Sequence, residues 1–242
     1  MRLFKYLIFL FCIASFPGCK PGEIKNDSQI KPVLSPQQQI KINVDSLKKS
    51  AREGDLIVRL GDDYISDRIK YLSENDKSYS HAGVIIFKDN LLYVCHIYPD
   101  DVKGADTIRY ELLDSFIKPR TNMNCALYRY DLSDIERHAF IDKLSEFHNQ
   151  KIHFDRVYDT STDNYLYCSE MIYKALKFST NNRITCKLTL IPKNMLPLMR
   201  IYFKKYKPRK NEIEERPFMA IDNLYNLPAC RLILKTPVKY MP

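Results

Sequence analysis

The chain has 242 residues, 45% of them hydrophobic, and its 38 Lys and Arg exceed its 29 Asp and Glu to give a formal net charge of +9. This length allows one large domain with its own core, and the ordinary hydrophobic content excludes wholesale disorder. Six glycines and 13 prolines exclude a collagen-like chain. The only apolar run long enough to concern a membrane is N-terminal, which excludes a polytopic membrane protein.

The first residues form a targeting segment. A short basic start precedes an apolar core over residues 6–16, and Gly18 and Cys19 follow it. This arrangement is typical of a secretory signal, and the Gly-Cys pair resembles the lipobox of bacterial lipoproteins. We therefore predict a lipoprotein signal peptide over residues 1–18, cleaved before Cys19. A plain secreted protein and an uncleaved anchor are the alternatives.

Lipidation of Cys19 would hold the protein on a membrane without a spanning helix. The expected location is the bacterial cell envelope, on a membrane face toward the periplasm or the exterior. Residues 19–34 contain no aromatic side chain and several polar ones, which is typical of a polar tether. Because no convincing boundary follows, we predict one domain over residues 35–242.

The positive charge raises the question of an acidic partner such as nucleic acid. Part of the excess lies near the N-terminus and part in the basic stretch 204–210. No helix-turn-helix, zinc-finger or RNA-binding signature accompanies these residues, so we predict a solvated surface and no nucleic-acid partner. Binding of the basic stretch to anionic lipid or nucleic acid is a minor alternative.

The first half of the domain is predicted to mix helices and strands. Ser35 followed by a proline predicts a helix start, and apolar residues recur at helical spacing up to Ala51. An Asp-Asn pair between two apolar runs predicts a hairpin. The further predicted elements are a strand over 55–60, a helix over 62–74 and hairpin strands over 82–87 and 91–98.

The second half continues this mixture. Ser133 and Glu136 form a capping box that predicts a helix start. The predicted elements are a strand over 124–130, the capped helix to about 149, a polar loop over 150–166, a helix over 167–178, proline-broken pieces after 185 and a strand over 230–235. Strict β-α-β alternation is missing, so the pattern favours an α+β fold with one domain.

Three residues suggest nucleophilic chemistry. Cys168 lies at the entry of a predicted helix, whose N–H groups and partial positive charge would lower the thiol pKa. The same N–H groups can hold the oxyanion of a tetrahedral intermediate. His81, just before a predicted strand, is the candidate general base. His96, on the partner strand of the hairpin, is the candidate that orients its ring.

Each of these residues also has a plainer interpretation. A cysteine on a helix is often a small buried hydrophobe, and a single histidine is often structural. Five cysteines follow Cys19, so at least one thiol is free unless the chain pairs with a partner. No C-x-x-C spacing is present, so no zinc cluster or other metal site is predicted. The four remaining cysteines are predicted to be packing residues or disulfide partners: Cys95, Cys125, Cys186 and Cys230.

The motifs around these residues resemble a known family. Gly54-Asp55-Leu56-Ile57, Tyr79-Ser80-His81-Ala82-Gly83-Val84 and Tyr167-Cys168-Ser169-Glu170 occur here in that order. The chain resembles the circularly permuted branch of the NlpC-like papain-fold cysteine hydrolases, the YiiX-like group, in which the His strand precedes the Cys helix. The resemblance covers residues 50–180, and it implies a permuted papain-like fold with an antiparallel sheet packed against helices.

The resemblance also implies roles for individual residues. Cys168 matches the nucleophile and His81 the general base, while the third polar position, often Glu in the family, is occupied by His96. Tyr167 and Ser169, on either side of Cys168, are predicted at the oxyanion or substrate-binding positions. The family's Gly-Lys-Pro-Tyr-Asp segment is matched only in part by residues 149–155, which leaves the substrate wall of the cleft undetermined.

The function implied by the resemblance is hydrolysis of an amide or acyl bond through a Cys168 thioester. No metal or organic cofactor is required for this chemistry. A peptide or acyl-amide substrate is expected, with cell-wall peptides first and an acylated lipid or modified protein second. The alternative is a catalytically inactive envelope binding module on the same fold, with Cys168 packed and unreactive. The sequence leaves open the scissile bond, the oligomeric state and any disulfide pairing.

Overall fold

The structure, a computed structural model, describes residues 34–99, 106–206 and 214–239. The predicted signal peptide, Cys19 and nearly all of the predicted tether lie outside the described residues, as does most of the basic stretch. The described residues belong to one unit that begins at Leu34.

Helices and short strands alternate irregularly along the described chain. In chain order the elements are α1 (Pro36–Ser50), β1 (Leu56–Gly61), α2 (Tyr64–Ile69), β2 (His81–Lys88), β3 (Leu91–His96), β4 (Arg109–Leu112), α3 (Leu113–Phe116), β5 (Asn122–Tyr130), α4 (Asp134–Asn149), β6 (His153–Phe154), β7 (Tyr165–Leu166), α5 (Cys168–Ser179), β8 (Thr189–Leu190), α6 (Leu196–Lys204), β9 (Pro217–Phe218) and β10 (Cys230–Pro237). Short 3-10 turns occupy Lys70–Leu72 and Ile221–Leu224.

A six-stranded sheet forms the centre of the fold. Its strand order is β10-β5-β1-β2-β3-β4, and every neighbouring pair is antiparallel. Two two-stranded sheets, β6 with β7 and β8 with β9, lie outside it. An antiparallel sheet combined with helices confirms the α+β class predicted from the sequence. None of the helices in the described residues has the length and apolarity needed to cross a bilayer.

The central sheet separates two apolar cores, which explains the unbroken apolar run at the start of β1. Leu56 and Val58 face a core that also contains the buried face of α5. Ile57, between them, faces a second core together with Leu47 of α1 and Phe116 of α3. Because successive side chains of a strand point to opposite faces, a strand covered on both faces is apolar throughout.

The capping signals in the sequence correctly predicted the starts of the two longest helices. Helices α1 and α4 begin with capping boxes at Ser35 and Ser133. The prediction over 62–74 was too long, because α2 ends at Ile69 and a 3-10 turn follows. The predicted loop over 150–166 contains the short strands β6 and β7. The sequence did not indicate β4, α3 or α6, all of which are nine residues or shorter.

Candidate active site

Cys168 is the first residue of α5, as the sequence predicted. Tyr167 precedes it in an extended conformation, and the Tyr167 N–H donates to Glu170 Oε2 at 3.4 Å. Helix α5 is amphipathic and buries Met171 and Ile172, so its position against the sheet is fixed by apolar packing. The side chain of Cys168 is therefore held at the N-terminal end of a buried helix.

His81 and His96 lie side by side in the hairpin of β2 and β3. The register that pairs Val84 with Cys95 makes the two histidines diagonal neighbours at the same end of the hairpin. His81 Nε2 lies 2.9 Å from His96 Nδ1, which is a hydrogen-bond distance. The structure thus brings together the two histidines that the sequence singled out.

Gly83 allows the close approach of the two strands at this point. A Cβ atom on Gly83 would lie 2.3 Å from Val94 Cγ1 and 3.2 Å from His96 Cβ. Real Cβ atoms do not make contacts as short as the first of these. A side chain at Gly83 would therefore push β3, and His96 with it, away from β2.

Glu111 of β4 lies behind His96. The Glu111 Oε2 atom is 3.1 Å from His96 Nε2, and the His96 side chain is fully buried. The arrangement is a row of His81, His96 and Glu111 across three adjacent strands. Sequence reasoning missed Glu111 because β4 is only four residues long and carries no clear alternation of apolar and polar residues.

Arg59 flanks the row from the other side. It is paired with His81 in the register of β1 and β2, and its guanidinium lies 4.3 Å from the centroid of the Phe116 ring. Arg59 Nη1 donates to the Phe116 carbonyl at 2.7 Å and to Asn122 Oδ1 at 3.3 Å. A fixed positive charge therefore stands beside the histidine pair.

Burial and charge make both histidines neutral at neutral pH. Burial lowers the pKa of His81 well below its usual value, and the nearby Arg59, His96 and Arg109 lower it further. Burial also lowers the pKa of His96, although the Glu111 carboxylate opposes this effect. His81 is neutral, and its Nε2 atom is within hydrogen-bond distance of His96. Its Nδ1 is therefore the ring atom that can accept a proton.

The thiol of Cys168 differs from the expectation. Burial raises the pKa of Cys168, and the backbone N–H groups of Ala82, Ser169 and Cys168 itself offset this only in part. The expected lowering by the helix N-terminus was wrong, because desolvation of the thiolate outweighs those N–H groups. In the resting state the Cys168 thiol and the His81 imidazole are therefore both neutral.

Cys168 and His81 line the same cavity, which has a volume of about 690 Å³. The backbone N–H of Ala82, the residue after His81, faces the Cys168 sulfur, so the two side chains start from adjacent parts of the cavity wall. Among the described residues no hydrogen bond joins the Cys168 thiol to the His81 ring. The structure thus places the pair in one cavity without a direct bond between them.

Tyr167 and Ser169 also line this cavity, and both bond to the same residue. The Tyr167 hydroxyl accepts from the Met219 N–H at 2.6 Å, and Ser169 Oγ donates to the Met219 carbonyl at 2.7 Å. Their hydroxyls therefore fasten the segment around Met219 over the start of α5. Their predicted part in oxyanion or substrate binding stays a prediction.

Tyr158 is a cavity residue that sequence reasoning missed. Its backbone is left-handed, with φ of 54°, which is rare for a bulky side chain. The buried Asp155 carboxylate accepts from the backbone N–H groups of Val157 and Asp159 and so holds the turn on both sides of Tyr158. No residue type in this segment indicated the left-handed conformation, because glycine is the residue that normally marks it.

The remaining cysteines are free thiols in this structure, and burial raises the pKa of each to about 12: Cys95, Cys125, Cys186 and Cys230. They are packing residues rather than reactive groups. Across residues 34–99, 106–206 and 214–239, no three His, Cys, Asp or Glu side chains come together as metal ligands would.

Comparison with known proteins supports the fold. No protein-family model matches the chain, and no curated protein matches it. The crystal structure of the metalloprotein yiiX from Escherichia coli O157:H7, described as DUF1105, is similar in structure, with a TM-score of 0.62. The match covers 77% of this chain and 98% of that chain at 16% sequence identity. The chain therefore has a YiiX-like fold.

Proposed function

We propose that this protein is a cysteine hydrolase that cleaves an amide or acyl bond through a thioester on Cys168. The observation that carries the proposal is one cavity shared by a cysteine at a helix N-terminus and a neutral histidine whose far nitrogen is bonded to a second histidine. Nucleophile, base and orienting group are the three parts that such chemistry requires.

The proposed reaction begins with attack of Cys168 Sγ on the substrate carbonyl carbon. His81 Nδ1 takes the thiol proton, and the backbone N–H of Cys168 helps to hold the oxyanion. As the bond from the carbonyl carbon to the leaving group breaks, His81 returns the proton to that group. Water then attacks the thioester, which releases the acid and restores the thiol. His96 and Glu111 keep the His81 ring in the tautomer that accepts at Nδ1.

The fold and the order of the motifs support a circularly permuted NlpC-like arrangement, since the His strand β2 precedes the Cys helix α5. We extend the proposal to a bacterial lipoprotein anchored through Cys19 in the cell envelope, on the basis of the signal motif in the sequence.

The YiiX structure is described as a metalloprotein. Among the described residues of this chain, no three His, Cys, Asp or Glu side chains come together as a metal site would need, and the proposed steps are assigned to side chains and backbone groups.

An inactive binding module is the second candidate, and two observations favour it. The Cys168 thiol makes no hydrogen bond to His81 within the described residues, and its pKa is raised rather than lowered. Under this candidate the cavity binds its ligand without chemistry, and His81 and His96 are structural.

Acylation by p-nitrophenyl acetate distinguishes the two candidates. In the full chain, we expect acetyl transfer to Cys168, followed by mass spectrometry of the peptide that contains it, to be at least tenfold faster at pH 7 than in His81→Ala, because general-base catalysis is lost. Because the lowered pKa of His81 keeps this base neutral, the acetylation rate of the wild type should persist below pH 6.5. In His81→Ala the rate should depend on thiol ionisation alone and rise only in the basic range.

His138→Ala is the matched control, because His138 is an exposed histidine of α4 far along the chain from the cavity motifs. It should react like the wild type, whereas Cys168→Ser should give no acetylated peptide. Equal and slow rates in wild type and His81→Ala would reject the hydrolase and leave the binding module.

A further inference from the structure

The cavity around Cys168 is lined by two chemically different groups of residues. Charged side chains form one group of lining residues: Arg59, Asp63, Glu111 and Lys118. Arg59 is beside His81 in the strand register, so this group adjoins the proposed base. Aromatic side chains form a second group of lining residues; Tyr98 packs near the two histidines, and Tyr167 directly precedes Cys168 in the chain.

Part of the aromatic group is a connected set of rings, which we call the aromatic wall: Phe154, Tyr158, Tyr167 and Tyr202. The Tyr158 and Tyr167 rings are 4.8 Å apart, while Phe154 and Tyr202 lie 6.2 and 6.3 Å from Tyr158. Tyr167 directly precedes Cys168 in the chain. The aromatic wall is therefore adjacent to the nucleophile, and Tyr158 is its central ring.

Tyr158 reaches this position through an unfavourable backbone conformation. A left-handed φ of 54° at a bulky residue is costly, and such strain persists where the surrounding structure enforces it, often at functional sites. Asp155 enforces it here by accepting from two backbone N–H groups of the turn. The fold thus places an aromatic ring beside Cys168 where a relaxed loop would not.

Aliphatic residues add to the apolar lining of the cavity. Ile69 and Leu72 from the region of α2 and Ile221 from the 3-10 turn after β9 also line the cavity. Ile65 also lines it and is 62% exposed, so it lies at the mouth. Apolar side chains therefore line the cavity both next to Cys168 in the chain and at its exposed mouth, where Asp63 and Ser66 of the same segment also line it.

We propose that the substrate carries an extended apolar acyl group, which lies along the aromatic wall, and a polar leaving group, which lies on the side of Arg59. The assignment follows the chemistry, because the acyl group stays on Cys168 in the thioester while the leaving group must take its proton from His81. This inference rests on the proposed function and deepens it, since it favours an acyl amphiphile over a hydrophilic cell-wall peptide.

The test is the dependence of acylation on chain length. The full chain is treated with p-nitrophenyl esters of two, four, six and eight acyl carbons, each below its aggregation concentration. In each reaction the Cys168 C–S bond forms, the ester C–O bond breaks, nitrophenolate leaves and His81 takes the thiol proton. The second-order rate should rise at least tenfold from two to eight carbons, because each buried methylene adds favourable transfer free energy.

Tyr158→Asn is the informative variant, because asparagine tolerates the left-handed conformation while removing the ring. It should flatten the chain-length dependence, so that the ratio of the eight-carbon rate to the two-carbon rate falls at least threefold relative to the same ratio in the wild type. Tyr165→Asn removes a tyrosine that is 54% exposed and outside the cavity, and it should keep the full dependence.

The outcomes separate the two levels of the proposal. A wild-type rate that does not increase with chain length, with Cys168 still acylated, would overturn the acyl assignment and leave the hydrolase. A rise that persists unchanged in Tyr158→Asn would overturn it as well. Failure of every ester to acylate Cys168 would reject the proposed function itself.

Discussion

Glu170 is a buried carboxyl group two residues beyond Cys168, and its ionisation is strongly disfavoured. Burial raises the pKa of Glu170 to about 8, although Lys174 Nζ lies 2.9 Å from its Oε1 atom and favours the charged form. The side chain has no exposed surface. Desolvation therefore outweighs the ion pair, as is common for buried charges.

This shift predicts how stability depends on pH. The unfolded chain releases the Glu170 proton near pH 4.5, whereas the folded protein retains it until about pH 8, so stability falls across this window as pH rises. Glu170→Gln removes this loss. We expect the variant to be more stable than wild type at pH 8.5, by on the order of a few kcal/mol, and close to wild type at pH 4.5, measured by urea unfolding.

His81 and His96 also make stability depend on pH, because burial lowers the pKa of each in the folded protein below its unfolded value, so their contribution rises with pH. Subtracting the wild-type curve from the variant curve removes their effect, because both proteins retain them. Glu146→Gln, at a half-exposed carboxylate of α4, is the matched control. A difference between Glu170→Gln and wild type that does not change with pH would contradict the prediction.

At the scale of residues, the sequence indicated the parts with recognisable local signals. Cys168 precedes an amphipathic run, and His81 and His96 flank a hairpin, so their proximity was predictable. The positions of Glu111 and Tyr158 in the site were not predictable from the sequence. Glu111 meets His96 only through the pairing of β3 with β4, and the φ of Tyr158 is imposed by Asp155 rather than by its own side chain.

The hairpin of β2 and β3 depends on the missing side chain of Gly83. We expect Gly83→Ala to destabilise the protein by about 1–3 kcal/mol, the usual cost of overpacking, because its Cβ would overlap Val94. It should also slow acetylation of Cys168, since the displaced His96 would no longer hold the His81 ring. Chemical unfolding and p-nitrophenyl acetate kinetics measure the two effects.

The double variant Gly83→Ala, Val94→Ala is the control for this prediction. Removing the Val94 methyl groups makes room for the new Cβ, so the double variant should be less destabilised than the sum of the single variants. Additive losses would show that the clash with Val94 is not the cause.

The length of each helix or strand and its capping residues determined whether it could be predicted from the sequence. Helices α1 and α4 carry Ser caps and run for 15 and 16 residues, so local signals fix their starts. Strand β4 is recognisable only once it is paired at the sheet edge. Helix α6 follows Met195 with a proline in its first turn and lies among other prolines, which concealed it.

Across the whole molecule, β10 closes one side of the sheet. Its pairing with β5 begins at Cys230, which lies opposite Tyr130, and ends at Pro237, which lies opposite Asn124. A chain that ends at Ala229 would expose β5 as an unpaired edge and uncover its buried side chains. We expect this truncation to yield aggregated protein without a cooperative unfolding transition, as judged by size-exclusion chromatography and thermal denaturation.

A chain that ends at Lys239 is the matched control, because it keeps all of β10 and the buried Val238. It should behave like the full chain. A monomeric, cooperatively folding chain that ends at Ala229 would show that β5 does not need its outer partner.

The bonds from Met219 to Tyr167 and Ser169 join positions 52 and 50 residues apart in the chain. During synthesis the nucleophile is therefore made well before the segment that fastens over it. In the interval Cys168 lies in an incomplete cavity, where oxidants and stray disulfides can reach it. Folding under oxidising conditions would then depend on how fast the late segment docks, so slow folding should inactivate more molecules than fast folding.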